Sequence, residues 1–200
     1  MAEITLYLAD ILPPERFPWP LLRQIPGEYR RRAEAAGSPA LAGQALAVGG
    51  LLCLGLGLGP VDALRRGPEG KPCLPGGTPC ISIAHGGGRA VLAVGDVEVG
   101  VDLEPPGLVR WAAAKRFFAP AELLELRAAP AEAQPSLFAR FWTRLEAGLK
   151  LEGTGFALEG AFAHPADRPI HCRSFLDRGG WLTCATWTPA EIRLEEVALR

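Results

Sequence analysis

The sequence predicts an α+β fold, on three observations. Alternating apolar residues mark strands at Glu3–Leu8, Ile81–Ala84, Arg89–Gly95 and Val97–Leu103, and the last three lie close enough to form a β-meander. After Pro105-Pro106-Gly107 the apolar spacing becomes helical. The chain then closes on three strand-like runs, Ile170–Leu176, Trp181–Trp187 and Ile192–Leu199, the first two joined at Gly179-Gly180.

Taken in order, the first strand is followed by Pro13, Pro14, Pro18 and Pro20, which are expected to break any regular element. Glu28–Ala36 carries Arg30, Arg31 and Arg32 and reads as a solvated helix, or more sharply as an anion contact. Ser38-Pro39 starts the next helix, a cap residue followed by proline in the first position. Leu41, Leu46, Val48, Leu51 and Leu52 make it a mostly buried helix, ended by Gly55, Gly57 and Gly59. The apolar run from Ala45 to Val61 is short and glycine-rich for a membrane span. The Gly55-Leu-Gly57-Leu-Gly59 run neither follows a strand nor opens a helix, and no Gly-Lys-Ser/Thr follows, so it reads as neither a dinucleotide fingerprint nor a P-loop. Gly67–Pro79 reads as a loop. Leu108–Phe118 is a helix, Ala119-Pro120-Ala121-Glu122 starts another, and Pro135–Leu151 is the longest. Leu137, Phe138, Phe141, Trp142, Leu145 and Leu149 form its apolar side, and Gly153 and Gly155 stop it.

The bulk numbers set bounds. The chain has 200 residues, enough for one large domain or two small ones around a real core. A net charge of −1 gives no electrostatic case for bulk nucleic-acid binding. The five cysteines, Cys53, Cys73, Cys80, Cys172 and Cys184, are odd in number and lack CxxC spacing, which argues against a disulfide framework or a zinc cage. His164, His171 and Cys172 likewise match no usual zinc spacing. A reducing, cytoplasmic setting fits that usage. The N-terminus lacks a basic n-region, so no signal peptide is expected.

The chemistry concentrates in two stretches. In Val99-Gly100-Val101-Asp102-Leu103-Glu104 the two acids alternate with apolar residues, so on a strand both carboxylates leave one face. In the long helix, Glu146 and Lys150 are four apart and share a face. Should helix and strand meet, three carboxylates converge beside one ammonium. Hard oxygen donors in that number suit Mg2+, and a lysine beside it suits phosphate. Taken singly, each piece has a plainer reading: a strand-end acid pair, an i,i+4 surface pair, a first-turn acid at Glu122 favoured by the helix dipole, and a turn histidine at His85.

Read together, these blocks resemble a known family. Gly70-Lys71-Pro72, Ile81-Ser82-Ile83-Ala84-His85, Gly100-Val101-Asp102-Leu103-Glu104, Arg116-Phe117-Phe118-x-x-x-Glu122 and Phe141-Trp142-Thr143-x-x-Glu146-Ala147-x-x-Lys150-x-x-Gly153-x-Gly155 follow, in order, the pattern of the 4′-phosphopantetheinyl transferases. The likeness covers about Lys71 to Gly155 and is closer to the two-lobed, surfactin-synthetase-activating class than to the shorter trimeric one. The resemblance implies two similar lobes, each a small antiparallel sheet with a long helix, at 1–98 and 99–200, in a monomer. It implies transfer of phosphopantetheine from coenzyme A to a serine of an apo acyl or peptidyl carrier protein. Residue by residue, it implies Mg2+ on Asp102, Glu104 and Glu146, and Glu122 as base toward the serine. Lys150 would stand at the pyrophosphate, and Lys71 and His85 would contact coenzyme A. Fatty acid, polyketide and peptide synthesis all use such carriers.

Three positions depart from the family pattern. Leu145 stands where a lysine is usual, Ala84 where a serine is usual, and Pro39 where an arginine often holds the nucleotide's 3′-phosphate. Arg23 or one of Arg30, Arg31 and Arg32 is expected to substitute. These departures also motivate a rival reading, a degenerate homologue that binds coenzyme A or carrier protein without efficient turnover. A Mg2+ phosphohydrolase sharing the acid cluster is a third.

Overall fold

In the computed structural model, which describes residues 1–67, 70–153 and 169–200, the first strand is the hinge of the architecture. β1 (Ala2–Asp10) buries Ile4, Leu6 and Leu8 on one face. The proline-rich stretch that follows, expected to lack regular structure, instead holds a 3-10 turn at Pro14–Arg16 and one helical turn, α1 (Trp19–Leu22). Their prolines occupy first turns, where no N–H is needed for a helical bond. α2 (Gly27–Glu34) and α3 (Pro39–Leu56) come next. Ser38 Oγ accepts the Leu41 N–H at 3.3 Å, and Gly57 closes α3 with φ 68°, as a helix stop should. The segment read as a loop contains a minimal hairpin, β2 (Arg65–Arg66) with β3 (Pro72–Cys73).

The expected meander follows as β4 (Cys80–Gly86), β5 (Arg89–Gly95) and β6 (Val99–Glu104). Then come α4 (Trp111–Phe117), α5 (Pro120–Ala128) and the long α6 (Gln134–Glu152), closed by Gly153 at φ 73°. Gly155 and His164 lie outside the described residues. The last strands are β7 (His171–Asp177), β8 (Gly180–Thr186) and β9 (Ala190–Glu196).

Among the described residues there are two sheets besides the small hairpin. The first has order β4-β5-β1-β9 and the second β6-β8-β7. The first is antiparallel except for its last pair: β9 runs parallel to β1, with Ile4 beside Ile192 and Leu6 beside Leu194. The final strand thus crosses back to the beginning of the chain.

The layers stack as α3, first sheet, second sheet, α6. Leu46, Leu51 and Leu52 of α3 pack on Ile81 and Leu92 from one face of the first sheet. The other face, with Ile4, Leu6, Val91 and Ala93, meets Val99, Val101, Leu103 and Leu182 of the second. Ala147 and Leu151 of α6 pack on Ala185. α3 has 18 residues and enough apolar character to cross a membrane on length and composition alone, but here it is the core helix of the first layer. The α+β class, with two small sheets that each carry a long helix, is as expected; β9 (Ala190–Glu196) joins the first sheet.

Candidate functional site

The even residues of β6 face α6, and Gly100 allows the approach. A Cβ at Gly100 would lie 2.0 Å from the Ala147 carbonyl oxygen and 2.5 Å from the Leu151 nitrogen. Only a residue without Cβ lets the helix backbone lie this close to the strand. The rotation of α6 is fixed by a buried hydroxyl chain, in which Thr183 Oγ1 lies 2.9 Å from both Thr143 Oγ1 and Ser174 Oγ. On its opposite flank Trp142, Phe138 and Phe141 pack with Phe118 of the preceding segment.

This docking brings Asp102, Glu104, Glu146 and Lys150 onto one wall of a cleft of about 640 Å³. The Lys150 ammonium donates to Asp102 Oδ1 at 2.7 Å. Asp102 is only 4% exposed, and its other oxygen, Oδ2, is buried without a hydrogen-bond partner among the described residues. Burial, then the nearby Asp102 charge, pushes the Glu146 carboxyl up to about 7. Glu104 is raised for the same two reasons. His85 stands on the rim. Desolvation by the cleft wall, then the Lys150 charge, lowers its imidazole below the usual range.

Among the described residues, no group of three His, Cys, Asp or Glu side chains is drawn close enough to form a ready metal cage. The donor chemistry nonetheless fits a hard divalent cation: oxygen ligands, one of them buried and unpartnered, beside an acid that holds its charge reluctantly.

The far end of the cleft is cationic. Arg32 and Arg66 line it, together with Tyr29. Glu28 accepts from both guanidiniums, at 2.6 Å from Arg32 and 2.8 Å from Arg66. Arg66 also donates to the Gly70 carbonyl at 3.3 Å, and Arg32 lies 5.0 Å over the Tyr29 ring. Between the two ends, Ala45 and Val48 of α3 and Ile83 and Ala84 of β4 form an apolar floor.

Other expected residues fall elsewhere. Arg23 and Arg30 are not among the cleft's lining residues. Arg32 takes that position because it shares a helix face with Glu28, and Arg66 arrives from β2. Arg66 carries no periodic signal and was not selected from the sequence; the basic pair Arg65-Arg66 just before Gly70-Lys71-Pro72 was the available hint. Lys71 donates to the Leu151 carbonyl at 3.0 Å, at the C-terminal end of α6. It lines a separate cavity of about 230 Å³ that shares Lys150 with the cleft. Glu122 caps α5, its Oε2 accepting the Ala119 N–H at 3.1 Å, with Arg144 at 3.9 Å, and it does not line the cleft. Leu145 packs into the aromatic cluster around Trp142, away from the cleft lining.

A family model described as the 4′-phosphopantetheinyl transferase superfamily matches residues 98–195. The chain is 32% identical over 160 residues to the 4′-phosphopantetheinyl transferase AcpT of Salmonella typhi, covering 76% of this chain and 75% of that protein. It is 38% identical over 76 residues to the 4′-phosphopantetheinyl transferase psf-1 of Bacillus pumilus, covering 38% of this chain and 33% of that protein. With the 4′-phosphopantetheinyl transferase Sfp of Bacillus subtilis strain 168 the identity is 32% over 90 residues, covering 44% and 40%. The match therefore spans about a third to two fifths of the length of those last two relatives.

Proposed function

The chain belongs to the 4′-phosphopantetheinyl transferase superfamily, and on that premise we propose that it moves the 4′-phosphopantetheine group of coenzyme A onto a serine of an apo carrier protein. The observation that carries this reading is one cleft with two chemically opposite ends: acids and Lys150 at one, a braced arginine pair at the other. An extended substrate with a pyrophosphate in its middle and a phosphomonoester on its nucleotide matches that polarity. Arg32 and Arg66 would take the phosphomonoester, in place of the arginine whose position Pro39 occupies. Lys150 would face the pyrophosphate.

In this scheme the serine Oγ attacks the phosphorus that carries the pantetheine arm. The bond from that phosphorus to the bridging oxygen breaks, and 3′,5′-ADP leaves with the electron pair. Lys150 neutralises charge on the departing nucleotide, and can do so by leaving Asp102. The serine proton goes to Glu146, which lines the cleft beside Lys150. We assign the base to Glu146 rather than Glu122, because Glu122 is engaged as the cap of α5. Asp102, Glu104 and Glu146 would hold Mg2+, which when bound would offset the charge of the pyrophosphate.

Mass spectrometry of apo carrier proteins incubated with the chain, coenzyme A and Mg2+ tests the proposal. A mass gain of one phosphopantetheine group, with release of 3′,5′-ADP, is expected on at least one acyl or peptidyl carrier. Coenzyme A binding with no adduct on any carrier would point instead to a homologue that binds without turnover. Loss of coenzyme A to hydrolysis alone would point to a phosphohydrolase.

A further inference from the structure

The backbone that carries Glu104 is trapped between two turns. From one side comes the β4–β5 turn: a Cβ on Gly86 would lie 2.3 Å from the Leu103 carbonyl oxygen, and one on Gly87 would lie 3.3 Å from Pro105 Cβ. From the other comes the β7–β8 turn, where a Cβ on Gly180 would lie 3.1 Å from the Glu104 carbonyl oxygen and 3.5 Å from Pro105 Cα. The two turns belong to different sheets, and backbone pairing does not join them.

Arg89 ties them together. It sits at the start of β5, opposite Gly86, and is 3% exposed. Its guanidinium donates to Asp177 at the β7–β8 turn, Nε to Oδ2 at 2.9 Å and Nη2 to Oδ1 at 3.4 Å. Nη1 reaches Asp10 at the end of β1 at 3.0 Å, and Nη2 reaches Glu196 at the end of β9 at 2.5 Å. Asp10 in turn accepts from Arg178 at 2.5 Å. Arg178 is the non-glycine residue of the β7–β8 turn with a left-handed backbone, φ 47°, a conformation that needs support from its surroundings. One buried guanidinium thus anchors both turns and the two strand ends beside them.

We propose that Arg89 is a positioning residue for Glu104: by clamping the two turns that grip Leu103-Glu104-Pro105, it sets where that carboxylate enters the cleft. This rests on the reading of Asp102, Glu104 and Glu146 as cation ligands. Its consequence is that cation affinity depends on a side chain outside the cleft lining. A fork of five fixed donors does this in a way that a lysine, with one point charge, does not reproduce.

Mn2+ titration of the full chain in the presence of coenzyme A, read from the electron paramagnetic resonance of the free ion, tests the proposal. Arg89→Met is expected to weaken Mn2+ binding about tenfold, the range found when groups behind a metal ligand are removed. Arg89→Lys should recover only part of the loss, and Asp177→Asn, which keeps the arginine buried and most of its partners, should show a smaller loss in the same direction. A purely structural role would lower the melting temperature and leave the Mn2+ affinity of the folded variants at the wild-type value. That result in Asp177→Asn and Arg89→Lys would overturn the positioning role alone. Absence of Mn2+ binding by the wild-type chain would instead overturn the ligand assignment, and this inference with it.

Discussion

Glu146 carries a physical conflict: its carboxylate is half-buried on the same wall as Asp102, and its proton is held up to about 7. An unfolded chain would ionise this group near 4.5. Between those values the folded protein binds more protons than the unfolded one, so stability falls as pH rises through the window. Thermal melts without divalent ions should therefore show that fall between about pH 4.5 and 7, and Glu146→Gln should flatten it. The same variant should abolish transfer while keeping the fold, because in the proposed mechanism it removes a ligand and base without removing a core group. Unchanged turnover, or an unchanged pH slope, would contradict the role given to this residue. Asp102, Glu104, Glu146 and Lys150 were legible in the sequence because spacings of two and four translate directly into faces of a strand and a helix. Arg66 was not legible, since a two-residue strand has no period. Of the candidates Arg23, Arg30, Arg31 and Arg32, only Arg32 lines the cleft, because charge does not say toward which side a guanidinium turns.

Among the elements, α6 decides the site, and its seat on β6 depends on Gly100. Gly100→Ala would drive a Cβ into the Ala147 carbonyl and the Leu151 nitrogen, both backbone atoms that cannot rotate away. Overpacking of this kind costs about 1–3 kcal/mol, and the rigid neighbours favour the upper end. Denaturant unfolding should show that loss, with coenzyme A binding weakened alongside it, since Asp102 and Lys150 would no longer meet across the same gap. Wild-type stability in this variant would mean that the helix can shift freely. The start of α6 and its glycine stop were readable from apolar periodicity and the Gly153 signal. Leu145 stands where the family pattern has a lysine. Its seat in the aromatic cluster explains the apolar choice, which a motif comparison does not reveal. The small β2–β3 hairpin hid inside a segment whose glycines and prolines read as loop.

At the scale of the whole molecule, a parallel pairing between the first and last long strands draws the chain's two ends into one sheet. No local pattern announces such a contact, because it joins residues nearly the full length of the chain apart. The same is true of the Arg89 cluster, which gathers Asp10, Asp177 and Glu196 from three distant stretches. The α+β class was legible, since it needs only the kinds and grouping of elements; the crossing that closes the fold was not. The cleft inherits this architecture: its acidic wall comes from β6 and α6, its cationic end from α2 and β2, and its floor from α3 and β4. A crystal structure of the chain with coenzyme A and Mg2+ tests that arrangement most directly. The account predicts the pyrophosphate beside Lys150 and the three carboxylates, with the nucleotide's phosphomonoester on Arg32 and Arg66. Coenzyme A seated outside this cleft, or lying in it with the phosphomonoester turned away from both arginines, would contradict it.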